Sequence, residues 1–384
     1  MSANVPLAWL LLVKLKGRFL TAIAGIAFAV ILALVQLGFQ DALYTSITQL
    51  YAHMNADLVM ISPQYQCIIA RETFPERRLF QALGASEVAS VAPIYMETAQ
   101  WTNPVNHYER FIFMVGFKPH RGVFDLPGVD SHLDEIAEPG RVLFDEGSRS
   151  EFGPIARLFR ENGRVVTEVS RRRVEVAGLF RIGASFANSG QVITGDMNFF
   201  RLAPNRDMGN VDLGLIRLKP GADPEAARAE LAGMLSGDVT VLTKKGFLDR
   251  EKSYWSHGLP IGFLFNASLV MSVVVGAVIV YQILYSGVSE HLAEYATLKA
   301  IGYSDFRLFG VVLQESLFLS LLGFIPGLLL ALGVYRIVRA ATLLPLRMTL
   351  STAVAAYLGT AMMCALAGAL ATHKLRSADP AEVF

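Results

Sequence analysis

Three stretches of this chain carry no charge at all and a fourth carries one. No Asp, Glu, Lys or Arg occurs from Phe19 to Gln40, from Ser253 to Ser289 or from Met348 to Thr372, and Glu315 alone interrupts Leu308 to Tyr335. About 20 apolar residues in a helix cross a hydrocarbon core about 30 Å thick. The pattern therefore predicts spans over 19–40, 259–284, 308–335 and 348–372. Pro326 should kink the third of them. Ser272 and Gly276, Gly323 and Gly327, and Ala361 and Ala365 each put two small side chains four residues apart. That spacing lets helices approach closely, within one chain or across a homodimer.

Between the first two spans the pattern changes. Segment 41–258 mixes short alternating runs with turn signals and predicts a large α+β domain with its own core. The first helix should continue to about Asn55, and a polar helical stalk over Gly246 to Trp255 should lead into the second span. Strands are expected over 57–62, 90–94, 110–116 and 191–194, with a short helix at 75–83. A hairpin should run from 164–169 to 173–180 around Ser170–Arg172, and a strand, turn, helix, strand unit covers 211–218, 224–235 and 239–243.

The remaining polar stretches are short: an amphipathic amino-terminal segment 1–18, a loop 285–307, a loop 336–347 and a tail 373–384. Lys14, Lys16 and Arg18 suit a segment lying on the lipid of an inner leaflet. Together with Lys299, Arg307, Lys374 and Arg376 they place both termini and loop 285–307 on the cytoplasmic side. Arg336, Arg339 and Arg347 then fall on the opposite side, against the positive-inside trend. In loop 285–307 Glu290 and Glu294 come early and Lys299 late, the order the helix dipole favours, and Gly302 stands where a helix would end. A bare helical hairpin also needs a polar turn, so this pattern alone does not assign a role.

Glu290 to Tyr303 resembles the loop of FtsX/MacB-type ABC transporter permeases, whose usual form is close to E-R-x-R-E-I-G-x-L-K-A-L/I-G-A. Glu290, Glu294, Leu298, Lys299, Ala300, Ile301 and Gly302 match it, whereas His291, Ala293, Tyr295 and Ala296 depart from it. Those departures, with Tyr303, are similar to the DevC branch, where H-L-x-E-Y-A-T-L-K-A-x-G-Y is the common spelling. The ending Ser377 to Phe384 is similar to the family's D-P-x-E-A-L. The resemblance implies a non-catalytic permease subunit of the bacterial inner membrane, N-in and C-in, with its domain in the periplasm. It implies that Glu290, His291, Leu292, Glu294, Tyr295, Ala296, Leu298, Lys299 and Gly302 couple to a separate ABC ATPase that binds ATP–Mg. It further implies an inserted subdomain near 118–210, a homodimer, a periplasmic membrane-fusion (adaptor) protein and an outer-membrane TolC-like duct. An FtsX-like signal transmitter acting on a periplasmic hydrolase stays open. So does a membrane receptor or enzyme with its active site in the domain.

Composition fits that division. With 53% hydrophobic and 17% charged residues and a net charge of +1, the chain is too apolar for a soluble protein and offers no field for nucleic acid. No G-x-x-x-x-G-K-[ST] loop occurs, so no cofactor is expected on this chain. The seven histidines and two cysteines show no metal-ligand spacing. Gly183 to Ala187 misses a G-x-S-x-G elbow at its last position and reads as a loop. Arg171–Arg172–Arg173 reads as an exposed turn or a docking patch, and Glu315 as a residue seating the neighbouring loop or as a proton-coupling group.

Overall fold

The computed structural model describes residues 16–235, 237–290 and 304–371. Helix α1 (Lys16–Ala52) is continuous and meets no charge from Phe19 until Asp41. Its residues up to Ala42 belong to an apolar helical unit, and Leu43 onward belongs to a soluble unit that extends to Pro260 and takes in Thr342–Pro345.

The soluble unit is built on one mixed sheet. In chain order its elements are β1 (Leu58–Ile61), β2 (Phe74–Pro75), α2 (Glu76–Gln81), β3 (Val88–Thr102), β4 (Glu109–Phe117), α3 (Leu133–Ala137), β5 (Arg141–Asp145) and α4 (Ile155–Asn162). There follow β6 (Val165–Val169), β7 (Arg172–Phe180), β8 (Gln191–Gly195), α5 (Asp196–Leu202), β9 (Asn210–Val211), β10 (Leu213–Leu218), α6 (Pro224–Met234), β11 (Thr240–Thr243) and α7 (Lys244–Ser253). Nine strands pair in the order β11-β1-β10-β3-β4-β8-β5-β7-β6, and β2 pairs with β9 apart from them. The end of β3 also pairs with β6, through Trp101 and Val169, so β3, β4, β8, β5, β7 and β6 close into a ring. Closure leaves β11 as the edge strand of the order.

Local chemistry fixes the ends of these elements. The β6–β7 hairpin turns through Ser170 and Arg171, both at positive φ, as a tight primed turn requires. Pro224 opens α6 and the Asp223 side chain accepts the N–H of Glu225 at 3.0 Å, a capped helix start. Thr243 caps α7 in the same way by accepting from Gly246 at 3.1 Å. Strand β3 runs to Thr102, well past the predicted end at Ile94. Its second half is polar on one side, and only the register against β4, Ile94↔Phe117 to Thr102↔Glu109, makes Ala99 and Trp101 inward positions. The segment expected as an insert, 118–210, contributes α3 to α5 and strands β5 to β8, and these strands join the same sheet through β4 and β3.

The apolar unit completes its set of long helices with α8 (Pro260–Glu290), α9 (Asp305–Thr342, with Pro326 inside it) and α10 (Leu350–Ala371). With α1 these are four helices long and apolar enough to cross a membrane. Ile26, Val30, Leu34, Val280, Leu284, Leu319, Ala331, Cys364 and Ala367 form their shared core. Their outer faces carry exposed Phe263, Met271, Leu329, Leu330, Leu358 and Leu366. Water would not tolerate such a surface, and hydrocarbon is its natural solvent. Leu343 leaves α9 in the left-handed region at φ 58, and Arg347 is exposed before α10 begins.

Candidate functional site

Of the residues assigned to coupling, only Glu290 falls within the described residues. Glu290 is the last residue of α8, and Asp305 opens α9. His291, Leu292, Glu294, Tyr295, Ala296, Leu298, Lys299 and Gly302 lie outside the described residues.

Three of the small residues in the spans, Gly276, Gly323 and Gly327, stand at close contacts. A Cβ on Gly323 would stand 2.5 Å from Cγ2 of Ile26, and one on Gly327 would stand 2.8 Å from Cβ of Val30, so α9 lies against α1 nearly backbone to side chain. A Cβ on Gly276 would meet Ala29 and Met363 at 2.7 Å. Ser272 is buried and donates to Ser268 O in its own helix at 2.8 Å. Ala361 and Ala365 are half-buried beside the packed face of α10, which is made by Ala356, Thr360, Met363, Cys364, Ala367, Gly368 and Ala371. Glu315 is half-buried and makes no hydrogen bond or ion pair among the described residues. Its neighbours Ser316 and Ser320 donate to carbonyls of their own helix at 2.8 Å.

The sequence reading missed the most unusual chemistry, which lies within the soluble unit. Here the end of α1, the loop after β1 and the stalk helix α7 share a buried polar cluster. Glu251 of α7 is fully buried, receives the Tyr65 hydroxyl at 2.5 Å and the Ile68 N–H at 3.4 Å, and lies between buried Phe247 on its own helix and buried Trp255 in the π-helical turn that follows. Tyr51 of α1 meets the Tyr65 hydroxyl at 2.9 Å and packs edge-on against the Phe247 ring at 4.9 Å. Arg250 donates to Tyr65 O. Burial pushes the Glu251 carboxyl up to about 7, against the opposing pull of the Tyr65 hydroxyl, the Ile68 N–H and the nearby arginines. Burial, with Tyr51 and Glu251 beside it, holds the Tyr65 phenol well above its usual range. Lys244, at the start of α7, donates to Ala52 O at 2.8 Å and to Met54 O at 2.6 Å, satisfying carbonyls where α1 ends. Burial lowers the Lys244 amine, with Asp125 and Asp57 acting the other way.

Lys244, Glu251, Tyr65 and Tyr51 thus bind the end of α1 to α7 side by side. A signal for this was present in the sequence. Phe247, Glu251 and Trp255 recur every four residues, so the acid interrupts an aromatic stripe on one helix face. On a solvated stalk that stripe would have no reason to exist.

Other polar groups of the unit hold structure rather than a site. The Asp145 carboxylate accepts N–H groups of Gly147, Ile182 and Gly183 at 2.8 to 3.0 Å, and burial raises it despite them. Asp212, fully buried, takes Arg206 in two contacts of 2.5 and 3.3 Å, Arg71 at 3.5 Å and the Met96 N–H at 2.8 Å. Ser185 lies in a loop and accepts from Ala187 and Asn188 as a local turn. Arg171 to Arg173 are exposed, as are Arg336 and Arg339. Cys67 and Cys364 are buried free thiols, and no cluster of three metal-ligating side chains forms among the described residues.

Against known families, residues 19–234 match the MacB-like periplasmic core domain and residues 266–380 match the FtsX-like permease C-terminal domain. Among solved structures, the periplasmic region of MacB from Actinobacillus actinomycetemcomitans aligns at 10% identity and a TM-score of 0.37, over 51% of this chain and 92% of that one. The extracellular domain of YknZ, an ABC-type transporter from Gram-positive bacteria, aligns at 12% identity and a TM-score of 0.33, over 49% of this chain and 99% of that one. No curated protein matches the chain.

Proposed function

This chain belongs to the FtsX-like permeases that carry a MacB-like periplasmic core domain, and from that premise we propose that it is the membrane subunit of an ABC exporter of the bacterial inner membrane, a DevC-like permease of a tripartite pump. Permeases of this family work with separate ABC ATPases. Here the ATPase engages the cytoplasmic loop through Glu290, His291, Leu292, Glu294, Tyr295, Ala296, Leu298, Lys299 and Gly302. ATP–Mg belongs to that partner, and this chain supplies no catalytic group of its own. Two copies of the chain work as a homodimer, with both termini in the cytoplasm. The soluble unit works in the periplasm with an adaptor protein and an outer-membrane duct.

One observation carries the mechanical part of this reading. The helix that ends the first apolar stretch and the helix that leads into the second are joined through Lys244, Tyr51, Tyr65 and Glu251. These bonds lie within the soluble unit and hold the end of α1 against α7, the two segments of that unit that continue in sequence into the first and second apolar stretches. Exposed charges on a surface helix contribute about half a kcal/mol or less to stability. Glu294→Ala and Lys299→Ala should therefore leave membrane abundance unchanged and uncouple ATP hydrolysis from export, as should Tyr295→Asp by inserting a charge into an apolar contact. Gly302→Val is the harsher test, since a β-branched residue is poorly tolerated at a position that needs positive φ. The measurement is export and permease-stimulated ATPase activity at matched abundance, and wild-type values for all of them remove the loop from the mechanism.

A further inference from the structure

A cleft of about 410 Å³ opens in the soluble unit beside the loop that follows β4, a size typical of small-molecule sites. Lys118, His120 and Arg121 line it from that loop and Arg217 from β10, while Phe80, Ala92, Pro93 and Leu215 give it an apolar surface. Gly122 holds the loop at φ +81, and a Cβ there would come within 3.3 Å of the Arg217 Nη1. Glycine at that turn lets the guanidinium lie against the loop, beside the other cations.

Two carboxylates share the cleft. Glu76 receives the Tyr95 hydroxyl at 3.3 Å, and Asp196 accepts the Met197 N–H at 2.8 Å where α5 begins. Both donors are neutral, so the carboxylates keep their charge, and the three cations Lys118, Arg121 and Arg217 outnumber them by one. Among the described residues Lys118, Arg121 and Arg217 have no ion-pair partner, whereas Arg71, Arg78, Arg160 and Arg206 of the same unit each have one. Unpaired guanidinium groups around an apolar hollow suit a ligand with a charged head and an apolar body.

We propose that this cleft binds an amphiphilic anion, a phosphate- or carboxylate-bearing head group on a short apolar chain, with Lys118, Arg121 and Arg217 on the head group and Phe80, Ala92 and Leu215 on the chain. The assignment holds whether or not the chain exports.

The test is calorimetric titration of the full chain in phosphatidylcholine nanodiscs with octyl phosphate below its micelle concentration, corrected by empty nanodiscs. Inorganic phosphate and octyl glucoside serve as separate titrants. Saturable binding of octyl phosphate is expected, tenfold or more weaker in the Arg121→Gln/Arg217→Gln double variant, since charge-assisted bonds to the anion are lost. Ser90→Trp, at an exposed position that lines the cleft directly across the strand pair from Arg217, should block binding by filling the cleft while every charged residue is kept. Arg228→Gln, on α6 and paired with Glu225, should bind as wild type. Undiminished binding in both cleft variants overturns the site. Octyl glucoside binding as tightly as octyl phosphate overturns the anionic head group, and inorganic phosphate binding as tightly overturns the apolar body.

Discussion

The two units of this protein are held together by different physics. In the soluble unit buried polar groups join one element to another. Asp212 ties the β10 side to Arg71, Arg206 and the Met96 N–H of β3, Asn198 donates to Ile136 O and Glu138 O, and Glu251 joins α7 to the loop after β1. In the apolar unit most buried hydroxyls turn back on their own helix: Ser272 to Ser268 O, Ser316 to Leu313 O, Ser320 to Leu317 O and Thr360 to Ala356 O. Contact between those helices is instead a matter of shape, glycine against Ile26 and Val30. The exceptions share one end of the bundle, where Tyr335 donates to Leu34 O and Gln36 to Phe265 O. Directional bonds fix a register, whereas shape contacts tolerate tilting. Among the described residues, buried polar bonds thus run between elements in the soluble unit and mostly within single helices in the apolar unit.

The sharpest way to break this contrast is Asp212→Ala. It leaves Arg206 and Arg71, 16% and 13% exposed, facing each other without their shared anion. Removing one partner of a buried ion pair costs about 3–5 kcal/mol, so thermal unfolding of the full chain in nanodiscs should show an early transition. A shift below about 1 kcal/mol would mean that the soluble unit, too, is held mainly by shape.

Next in size is a pH effect at the stalk. The Glu251 carboxyl rises from an ordinary 4.5 to about 7 on folding, chiefly through burial. A group raised in this way contributes stability that is fully present below about 4.5 and lost as pH rises through about 7. The amplitude is on the order of 3 kcal/mol. Glu251→Gln keeps the shape and a hydrogen-bonding side chain, so its melting temperature should fall less than that of wild type between pH 5 and pH 8. Parallel curves would place the carboxylate in water.

Gly323→Val tests the other side of the comparison. The new Cβ would overlap Cγ2 of Ile26 at 2.5 Å, and overpacking costs about 1–3 kcal/mol. The expected result is reduced folded protein in a denaturant titration in mixed micelles, partly restored by Ile26→Ala in the double variant. No rescue would mean that α9 does not bear on α1 through this pair.

What the sequence disclosed follows the same division. Spans could be read because hydrocarbon imposes one rule along a whole helix, and loss of charge from Phe19 to Gln40 or Met348 to Thr372 needs no knowledge of partners. The β6–β7 hairpin could be read because its turn is local. The second half of β3 and strand β5 could not, because Glu97 to Thr102 and Arg141 to Asp145 become strand positions only through pairing with distant β4, β7 and β8. The stalk cluster was hidden for the same reason. Tyr65 and Glu251 are 186 positions apart, and only the aromatic spacing around Glu251 hinted that this acid faces inward. The loop at Glu290 to Gly302 was readable as a family spelling, which says what it resembles and not how it is held.

The smallest effect gives the finest test, because it compares one chemical change in both units. Thr194 and Thr360 are both buried, and each donates its hydroxyl to a backbone carbonyl at 2.8 Å, Thr194 to Arg141 O on a neighbouring strand and Thr360 to Ala356 O one turn back. Replacing threonine by valine exchanges the hydroxyl for a methyl group at nearly constant shape. In α10 the Ala356 carbonyl keeps its helical N–H partner, so Thr360→Val should stay within about 0.5 kcal/mol of wild type. At β8 the lost bond spans two elements and leaves the Arg141 carbonyl with the longer contact from the Asn198 amide at 3.4 Å, so Thr194→Val should cost about 1–2 kcal/mol. Both variants are measured in the same nanodiscs, by hydrogen exchange at amides of β5 and β8 for the first site and by denaturant titration for the second. If both changes cost the same, directional bonding does not distinguish the two units.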